Sequence, residues 1–411
     1  MEVRSNLIWK VLITVSGIFT LLYLYSTLLP GGIDIAVFHY FTEEQVQAGR
    51  SYNGIVRLIY ISSFILKASF LIWFVFSGRA ERLGRWTFNT AQGRHLLAVL
   101  LFFLILWLSL RLLSIPFSLY SSYFLQHEWG FSTQTMSGWW LDYFKGAAID
   151  VLLSAVGVLL LFWATGRWPN SWWFIAGIFL AFWIFMQSFL WPVMVAPLFN
   201  RFESVRETKI VEMVQRLSER AELPVDEVLV MDASIRTTKA NAYFSGLGST
   251  KRIVLYDNLL NDYSFEEVEA VVAHEMAHWK SGHITRGILF GIVGNFILLL
   301  LLFLTLRLTH PLSTQGPYPP QAWALIVLFF LLVSFLSNPL QNIISRGMET
   351  EADLKAVELT QNPSGSVQLQ VNLARKNLSG VAPPQFIEWF SYSHPSVMRR
   401  IRNFEGYEAV Q

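Results

Sequence analysis

Long apolar runs set the limits on what this chain can fold into. An α-helix needs about 20 mostly apolar residues to cross the hydrocarbon layer of a membrane. Seven runs approach this length, at about 11–29, 58–76, 96–115, 147–164, 174–194, 288–308 and 322–344. Because a backbone surrounded by lipid must satisfy its own hydrogen bonds, such runs predict helices. We therefore expect a mainly α, polytopic membrane protein with about seven transmembrane helices.

The composition supports a membrane protein and removes several classes of function. Only 15% of the 411 residues are charged, whereas a soluble chain has about 25% charged residues. The net charge of +2 offers no argument for nucleic-acid binding, and we expect none. The chain has no cysteine, which excludes disulfides, thiolate metal sites and a cysteine nucleophile.

Polar groups inside four of the predicted helices favour a hydrated interior. Ionisable side chains in lipid are costly, so we expect them to face the bundle rather than the acyl chains. Each one alone could equally hold two helices together or reach towards the membrane surface. Taken together they favour a wet cavity within the bundle; the residues are Lys67, Arg111, Asn295, Asn338, Gln341 and Asn342.

The charge density rises after about residue 200, which predicts a soluble module between membrane segments. The predicted parts are five membrane helices with interfacial loops (1–199), a soluble catalytic domain (200–285), two further membrane helices (286–345) and a soluble C-terminal segment (346–411). The C-terminal segment begins with several carboxylates, at 349, 351 and 353.

The predicted catalytic domain is a small α+β domain. Its pattern indicates an amphipathic helix at 210–223, a strand at 227–231 and a β-hairpin over 241–257 with its turn at 246–251. The exposed edge of such a hairpin could pair with a peptide backbone by strand addition. A purely structural hairpin is the simpler interpretation of the pattern.

The strongest chemical signal is the motif His274-Glu275-Met276-Ala277-His278. Ser264 and Glu267 form a predicted capping box at the start of its helix. Two histidines four residues apart share one helix face, so both can bind one tetrahedral zinc ion. Glu275 lies beside them and can take a proton from water activated by the metal, as in metallopeptidases with H-E-x-x-H.

A catalytic zinc held by two histidines needs one more protein ligand. His283 is near in sequence, but its spacing departs from the metzincin pattern, so we do not expect it to bind metal. A carboxylate from a separate helix is the better candidate. Glu349 and Asp353 share a helix face, so one can bind the metal while the other hydrogen-bonds to a ligand histidine. Glu351 is expected to point away.

His394 is a further candidate, in the polar C-terminal segment. It could donate a hydrogen bond to the oxyanion of a tetrahedral intermediate. A lone histidine is more often structural, and spacing does not decide between the two roles.

Several stretches together resemble the type I CAAX prenyl proteases, which are membrane-embedded zinc metallopeptidases of the gluzincin group. They occur in the family's order over about residues 123–401, and their joint occurrence is more specific than the zinc motif alone. They are Glu128-Trp-Gly-Phe with Gln134-Thr, Ala196-Pro-Leu-Phe-Asn, Asn241-Ala-Tyr-Phe with Lys251-Arg-Ile-Val-Leu-Tyr-Asp, His274-Glu-Met-Ala-His-Trp-Lys, Ser345-Arg with Glu349-Thr-Glu-Ala-Asp353, and Ser393-His-Pro with Arg400-Ile.

The resemblance implies one zinc ion per chain, bound by His274, His278 and Glu349. It implies Glu275 as the general base. The substrate that it implies is a peptide or lipidated peptide, cut near its C-terminus beside a prenylated cysteine.

The resemblance also implies supporting roles around the metal. It places Asp353 beside a ligand histidine and Asn241 on the substrate backbone. It places His394 and Arg400 near the scissile carbonyl. Members of the family are similar in having seven transmembrane helices around a water-filled chamber, with the active site facing the interior.

Three other hypotheses stay open at this point. A heat-shock membrane protease of the HtpX type would act on unprenylated or misfolded membrane peptides, but it is shorter. A site-2 protease would carry its zinc motif inside a transmembrane helix, whereas glutamates at 266, 267 and 269 precede the motif here. A transporter or receptor with a non-catalytic zinc site would need a fourth protein ligand.

The membrane and its orientation follow from weaker signals. The compact chain favours a bacterial inner membrane, with an endoplasmic reticulum membrane as the alternative. Arginines at 79, 82, 85 and 94 would place the catalytic domain outside the cell. Lysines and arginines around the catalytic domain, against a 309–321 loop without either, place it in the cytoplasm. Together with the resemblance, this second pattern predicts a cytoplasmic catalytic domain; no oligomeric state is predicted.

Overall fold

The computed structural model describes residues 7–225, 227–245, 252–309 and 317–408. The first half of the chain is almost entirely helical. A π-helical turn at Tyr120–Phe124 continues α4 directly into the short helix α5. The helices are α1 (Leu7–Leu28), α2 (Glu43–Phe76), α3 (Arg79–Thr90), α4 (His95–Leu119), α5 (Leu125–Glu128), α6 (Met136–Arg167) and α7 (Trp172–Leu190).

A mixed sheet and three helices follow. They are β1 (Phe202–Ser204), α8 (Thr208–Ala221), β2 (Glu227–Met231), β3 (Ala242–Ser245), β4 (Arg252–Tyr256), α9 (Asp257–Asp262) and α10 (Phe265–Lys280). The strand order is β1-β2-β4-β3, with β2 parallel to β4 and the other two pairs antiparallel. The predicted hairpin strands therefore pair as expected, while the predicted turn at 246–251 lies outside the described residues. β3 forms one edge of the sheet.

The last part of the chain is helical again. Its helices are α11 (His283–Thr309), α12 (Ala322–Thr360), α13 (Pro363–Lys376), α14 (Gln385–Ser391) and α15 (Val397–Glu408). α12 is the longest helix of the described chain, with 39 residues. It begins as an apolar helix and continues through Pro339 to the carboxylates of the predicted metal site, so one continuous helix joins the two regions.

Six helices within the described residues are long and apolar enough to cross a membrane: 7–28, 43–76, 95–128, 136–167, 283–309 and 322–360. α7 is also apolar but shorter, at 19 residues. Each of the seven predicted runs overlaps one of these helices. The predicted fold class, a mainly α membrane protein with a small α+β part, is confirmed.

Two large apolar cores hold the molecule together. The first lies among the membrane helices, where the rings of Phe64 on α2 and Phe335 on α12 stack with centroids 3.9 Å apart. The second lies beneath the sheet, where Ile253, Leu255 and Met276 are fully buried. Residues of α10 and α12 both belong to the second core, which fixes the zinc-motif helix against the end of α12.

Candidate metal centre

The helix that carries the H-E-x-x-H motif is defined by its own sequence. Ser264 accepts a hydrogen bond from the Glu267 amide at 3.3 Å, and the Glu267 carboxylate accepts from the Ser264 amide at 2.8 Å. This capping box confirms the predicted helix start. Val272 and Met276 are completely buried against the sheet. Because apolar residues occupy that face, the two histidines project from a different face, towards α12.

Three side chains converge between α10 and α12. The ligand atoms of His274, His278 and Glu349 all lie within 4.8 Å of one another. The two Nε2 atoms are 3.1 Å apart, and they lie 3.2 and 3.4 Å from the Glu349 carboxylate. Two imidazoles and a carboxylate from separate helices, aimed at one point, match the donor set of a catalytic zinc site.

The polar atoms of this group are better satisfied by a bound metal cation than by hydrogen bonds among themselves. Glu349 Oε2 is buried and, within the described structure, receives no hydrogen bond of good geometry. A carboxylate oxygen in that position is costly unless a cation or a donor reaches it. The group therefore fits a bound metal ion, with both Nε2 atoms and the Glu349 carboxylate as ligands.

His274 is oriented by a buried ion pair. Its Nδ1 lies 3.0 Å from Asp353 Oδ1, and Arg400 Nε donates to Asp353 Oδ2 at 2.8 Å. Burial alone would lower the pKa of His274, but the adjacent Asp353 and Glu349 carboxylates outweigh it and raise the pKa to about 9. Asp353 also outweighs the burial of Arg400 and raises the pKa of that guanidinium. The surroundings of His274 thus favour positive charge, which a metal ion would also supply.

His278 is oriented by residues that the sequence did not predict. Its Nδ1 lies 2.9 Å from Nδ1 of His283, and His283 Nε2 lies 3.1 Å from Glu351 Oε2. Arg286 donates to the same carboxylate at 3.0 Å, and Lys355 donates to it at 2.8 Å. As predicted, His283 and Glu351 lie away from the ligand atoms. The contact of His283 with the far side of His278, and of Glu351 with His283, was not predicted from the sequence.

The signal that could have found this contact is the turn between α10 and α11. Gly282 has φ +67°, a left-handed conformation that suits glycine. It reverses the chain so that His283, at the first position of α11, returns to the side of α10. A glycine directly before a histidine, just after a predicted helix end, is a possible sign of such a return.

A cavity of about 130 Å³ opens beside the metal group. Glu275 lines it together with His394, Arg400 and Asn241, so the structure brings all four predicted catalytic residues to one place. Its remaining walls are mainly apolar, from α10, α12, α13 and α15. An apolar pocket with a few polar groups beside a metal site is the usual form of a substrate-binding cleft.

Each of the other predicted residues has a definite position in this cavity. His394 Nε2 lies 3.3 Å from Glu349 Oε2, and burial lowers the pKa of His394 although Glu349 opposes this. The lowered pKa favours the neutral form of the ring. The side-chain oxygen of Asn241 accepts from the Ala242 amide at 2.9 Å, at the start of the edge strand β3. Arg400 is partly buried and lies against Asp353.

Two family models match the chain. "Peptidase family M48" matches residues 204–408, and "CAAX prenyl protease N-terminal, five membrane helices" matches residues 34–201. Together they span the helical first half and the part that contains the metal group.

Curated relatives are similar along most of the chain. An uncharacterized metalloprotease of Bacillus subtilis, YhfN, is 31% identical over 348 residues, or 82% of this chain and 81% of that protein. CAAX prenyl protease 1 of Saccharomyces cerevisiae is 29% identical over 309 residues, or 71% of this chain and 68% of that protein.

A solved structure has the same fold. The crystal structure of Ste24p from S. mikatae matches with a TM-score of 0.83, covering 96% of this chain and 97% of that chain. The two sequences are 24% identical in this match, so it bears on the fold alone.

Proposed function

The chain belongs to peptidase family M48 and is an integral-membrane metalloprotease, and we propose that it hydrolyses peptide bonds near the C-terminus of prenylated, CAAX-type substrates. One observation supports the proposal most directly. Glu275 lines a pocket together with His274, one of the three residues whose ligand atoms converge. We propose one zinc ion per chain at this position, because two imidazoles, a carboxylate and an open place suit zinc.

The proposed mechanism divides the work among the residues of the pocket. Zinc, when bound, activates a water molecule and polarises the scissile carbonyl. Glu275 takes a proton from the attacking water and passes it to the leaving amine as the C–N bond breaks. His394, as a neutral ring, donates a hydrogen bond to the oxygen that gains negative charge. Asn241 binds the substrate backbone beside the edge strand.

Asp353 and Arg400 act mainly by positioning His274. Asp353 holds the His274 ring with Nε2 towards the Glu349 carboxylate, where the two residues would bind the metal. Arg400 keeps the Asp353 carboxylate ionised and in place. Because Arg400 also lines the pocket, its charge lies near the scissile carbonyl as well.

The substrate class rests on the relatives. The S. cerevisiae relative is named CAAX prenyl protease 1, which supports a prenylated peptide as the substrate. The B. subtilis relative supports a second candidate, an unprenylated or misfolded membrane peptide, because prenylated CAAX proteins belong mainly to eukaryotes. The proposed site and chemistry are the same for both substrates.

A farnesylated CAAX peptide tests the proposal. Purified wild type is expected to cleave it, while Glu275→Gln retains the zinc content and loses turnover by at least about 100-fold. Glu266→Gln is the matched control, since Glu266 is exposed near the start of the same helix. Zinc without cleavage of this peptide would favour the unprenylated substrates. Absence of zinc would contradict the metal site itself.

We propose a bacterial inner membrane as the location, with the catalytic domain on the cytoplasmic side. The distribution of lysine and arginine around the catalytic domain supports this orientation. A reporter pair fused after residue 411, one active only in the cytoplasm and the other only outside it, tests the orientation. Activity of the external reporter would contradict it.

A further inference from the structure

A second, larger cavity lies between α2, α4 and α12, in the membrane-spanning part of the molecule. Its volume is about 780 Å³. Its lining is largely aromatic and aliphatic, with several hydroxyl groups and the amide of Asn338. Among the described residues that line it, Lys67 is the one charged group. An ammonium on the wall of an otherwise uncharged cavity is complementary to an anion.

Lys67 has no acidic partner within the described parts of the chain. The charge that acts on it is that of Arg111, which has the same sign. Arg111 is paired with Asp150 at 2.7 Å, and Asp150 also accepts from Trp107 at 2.9 Å. The Asp150 carboxylate beside Arg111 is therefore already paired. A cation inside a transmembrane helix without a counter-ion is costly, and its position on a cavity wall points to a ligand.

The distance of Lys67 from the metal group, measured along the axis of α12, follows from how α2 and α12 pack. Asn338 donates to the Tyr60 hydroxyl at 3.2 Å, and Phe64 stacks on Phe335, so the two helices run antiparallel. Lys67 lies about one turn beyond Phe64, at the level of Leu331, which also lines the cavity. The helical rise places this level about 27 Å along α12 from Glu349.

The positive charge of Lys67 on the cavity wall favours the C-terminal end of a peptide over the N-terminal end. An N-terminal amine would meet Lys67 and Arg111 with the same charge, whereas a C-terminal carboxylate has the opposite charge. A fully extended chain advances about 3.4 Å per residue, so about eight residues span the 27 Å. The three residues released from a CAAX tail would span only about 10 Å.

We propose that Lys67 binds the free C-terminal carboxylate of peptides that extend about eight residues beyond the bond that is cut. The inference rests on the proposed peptidase function and adds a class of substrate to it, namely peptides with longer C-terminal tails. The leaving segment crosses the cavity between α2 and α12, and the ion pair with Lys67 lowers KM for such peptides.

Four peptides test this inference. They share the sequence around the cut, carry three or eight residues after it, and end in a free acid or an amide. In wild type, the eight-residue acid is expected to have a KM about tenfold lower than its amide, the size of effect of one charged hydrogen bond. Lys67→Met should remove this difference, and Lys67→Arg should keep it. The three-residue pair should show no difference in any variant.

Lys10→Met is the matched control, because Lys10 is an exposed lysine on the membrane helix α1, outside this cavity. It should keep the acid preference of wild type. Equal KM values for the eight-residue acid and amide in wild type would overturn the inference. So would an acid preference that persists in Lys67→Met.

Binding measurements separate this inference from the proposed function. The same peptides, labelled with a fluorophore, are titrated against Glu275→Gln protein with and without the Lys67 substitution. An acid preference that depends on Lys67, without cleavage in wild type, would support the carboxylate site and contradict the peptidase. Equal binding of acid and amide, with phosphatidylglycerol retained in detergent only when Lys67 is present, would assign the site to a lipid phosphate and overturn the inference.

Discussion

At the scale of the residue, the two histidines of the proposed metal site, His274 and His278, are held in different ways. The Nδ1 atom of His274 faces Asp353, a carboxylate that is itself fixed by Arg400. The Nδ1 atom of His278 faces another imidazole, that of His283. Partners on the far side of a ligand histidine fix its tautomer and orientation, and their loss costs about 10-fold to 100-fold in metal affinity. A carboxylate and an imidazole should therefore support their ligands unequally.

The first prediction concerns His283. Replacement His283→Ala is expected to weaken zinc binding about tenfold, because His278 loses the group that orients its ring. His283→Gln, which keeps a polar group near Nδ1, should recover part of the affinity. Competition with a fluorescent zinc chelator measures both.

His39→Ala is the control for this prediction, since His39 is exposed and far from the metal group in sequence. It should bind zinc as wild type does. An unchanged zinc affinity in His283→Ala would show that the contact with His278 has no part in positioning it.

At the scale of the element, helical spacing predicted which side chains share one face of a helix, but it did not predict the contact between His278 and His283. The four-residue spacing of Glu349 and Asp353 predicted that both face the ligand histidines, and both lie beside His274. Glu351, two residues from each, lies elsewhere, as expected. His283 belongs to a different helix from His278, so no helical spacing relates their side chains. Their contact depends on the turn at Gly282.

The second prediction tests this turn. Gly282→Ala is expected to destabilise the protein by about 1 kcal/mol, because alanine in the left-handed conformation meets its own backbone. An added Cβ would contact no other atom there, so strain in φ is the whole cost. Gly282→Asn should cost less, since asparagine tolerates this conformation. Thermal unfolding in detergent measures the difference.

Gly287→Ala is the matched control. Gly287 lies within helix α11, has equally open surroundings and does not have a positive φ. Alanine there should be neutral or stabilising, because it favours the helix. If Gly282→Ala is no less stable than Gly287→Ala, the left-handed conformation at Gly282 does not cost alanine the expected free energy.

At the scale of the whole molecule, apolar runs predicted the membrane helices. The H-E-x-x-H motif and the spacing of Glu349 and Asp353 together predicted the group of side chains that converges between α10 and α12. The order of the sheet was not predictable, because the parallel pairing of β2 with β4 joins strands that are not consecutive in the chain. The cavity lined by Lys67 was only indicated as a wet interior. Its shape depends on contacts such as Phe64 with Phe335, which no local pattern encodes.

The third prediction concerns removal of the metal. A zinc ion between His274 and Glu349 would join α10 to α12 and stabilise the folded state by mass action. A chelator is therefore expected to lower the Tm by several degrees, and added zinc should restore it. Differential scanning fluorimetry in detergent measures the change.

Glu349→Gln provides the comparison, because it weakens the proposed site without removing either histidine. Its Tm should respond much less to chelator than that of wild type. A chelator that leaves the wild-type Tm unchanged would contradict a metal link between the two helices.

The unbroken course of α12 has a consequence for where proteolysis takes place. Apolar residues at its beginning and Glu349 near its end belong to one continuous helix, which contains Pro339, so the helix itself sets the spacing between them. The distance between the active site and the hydrocarbon layer of the membrane is therefore set by the protein. A peptide bond in a large folded protein would have to approach the membrane to that distance, whereas a bond in a chain anchored in the membrane already lies there. Proximity to the lipid surface thus acts as a filter on substrates, in addition to their sequence.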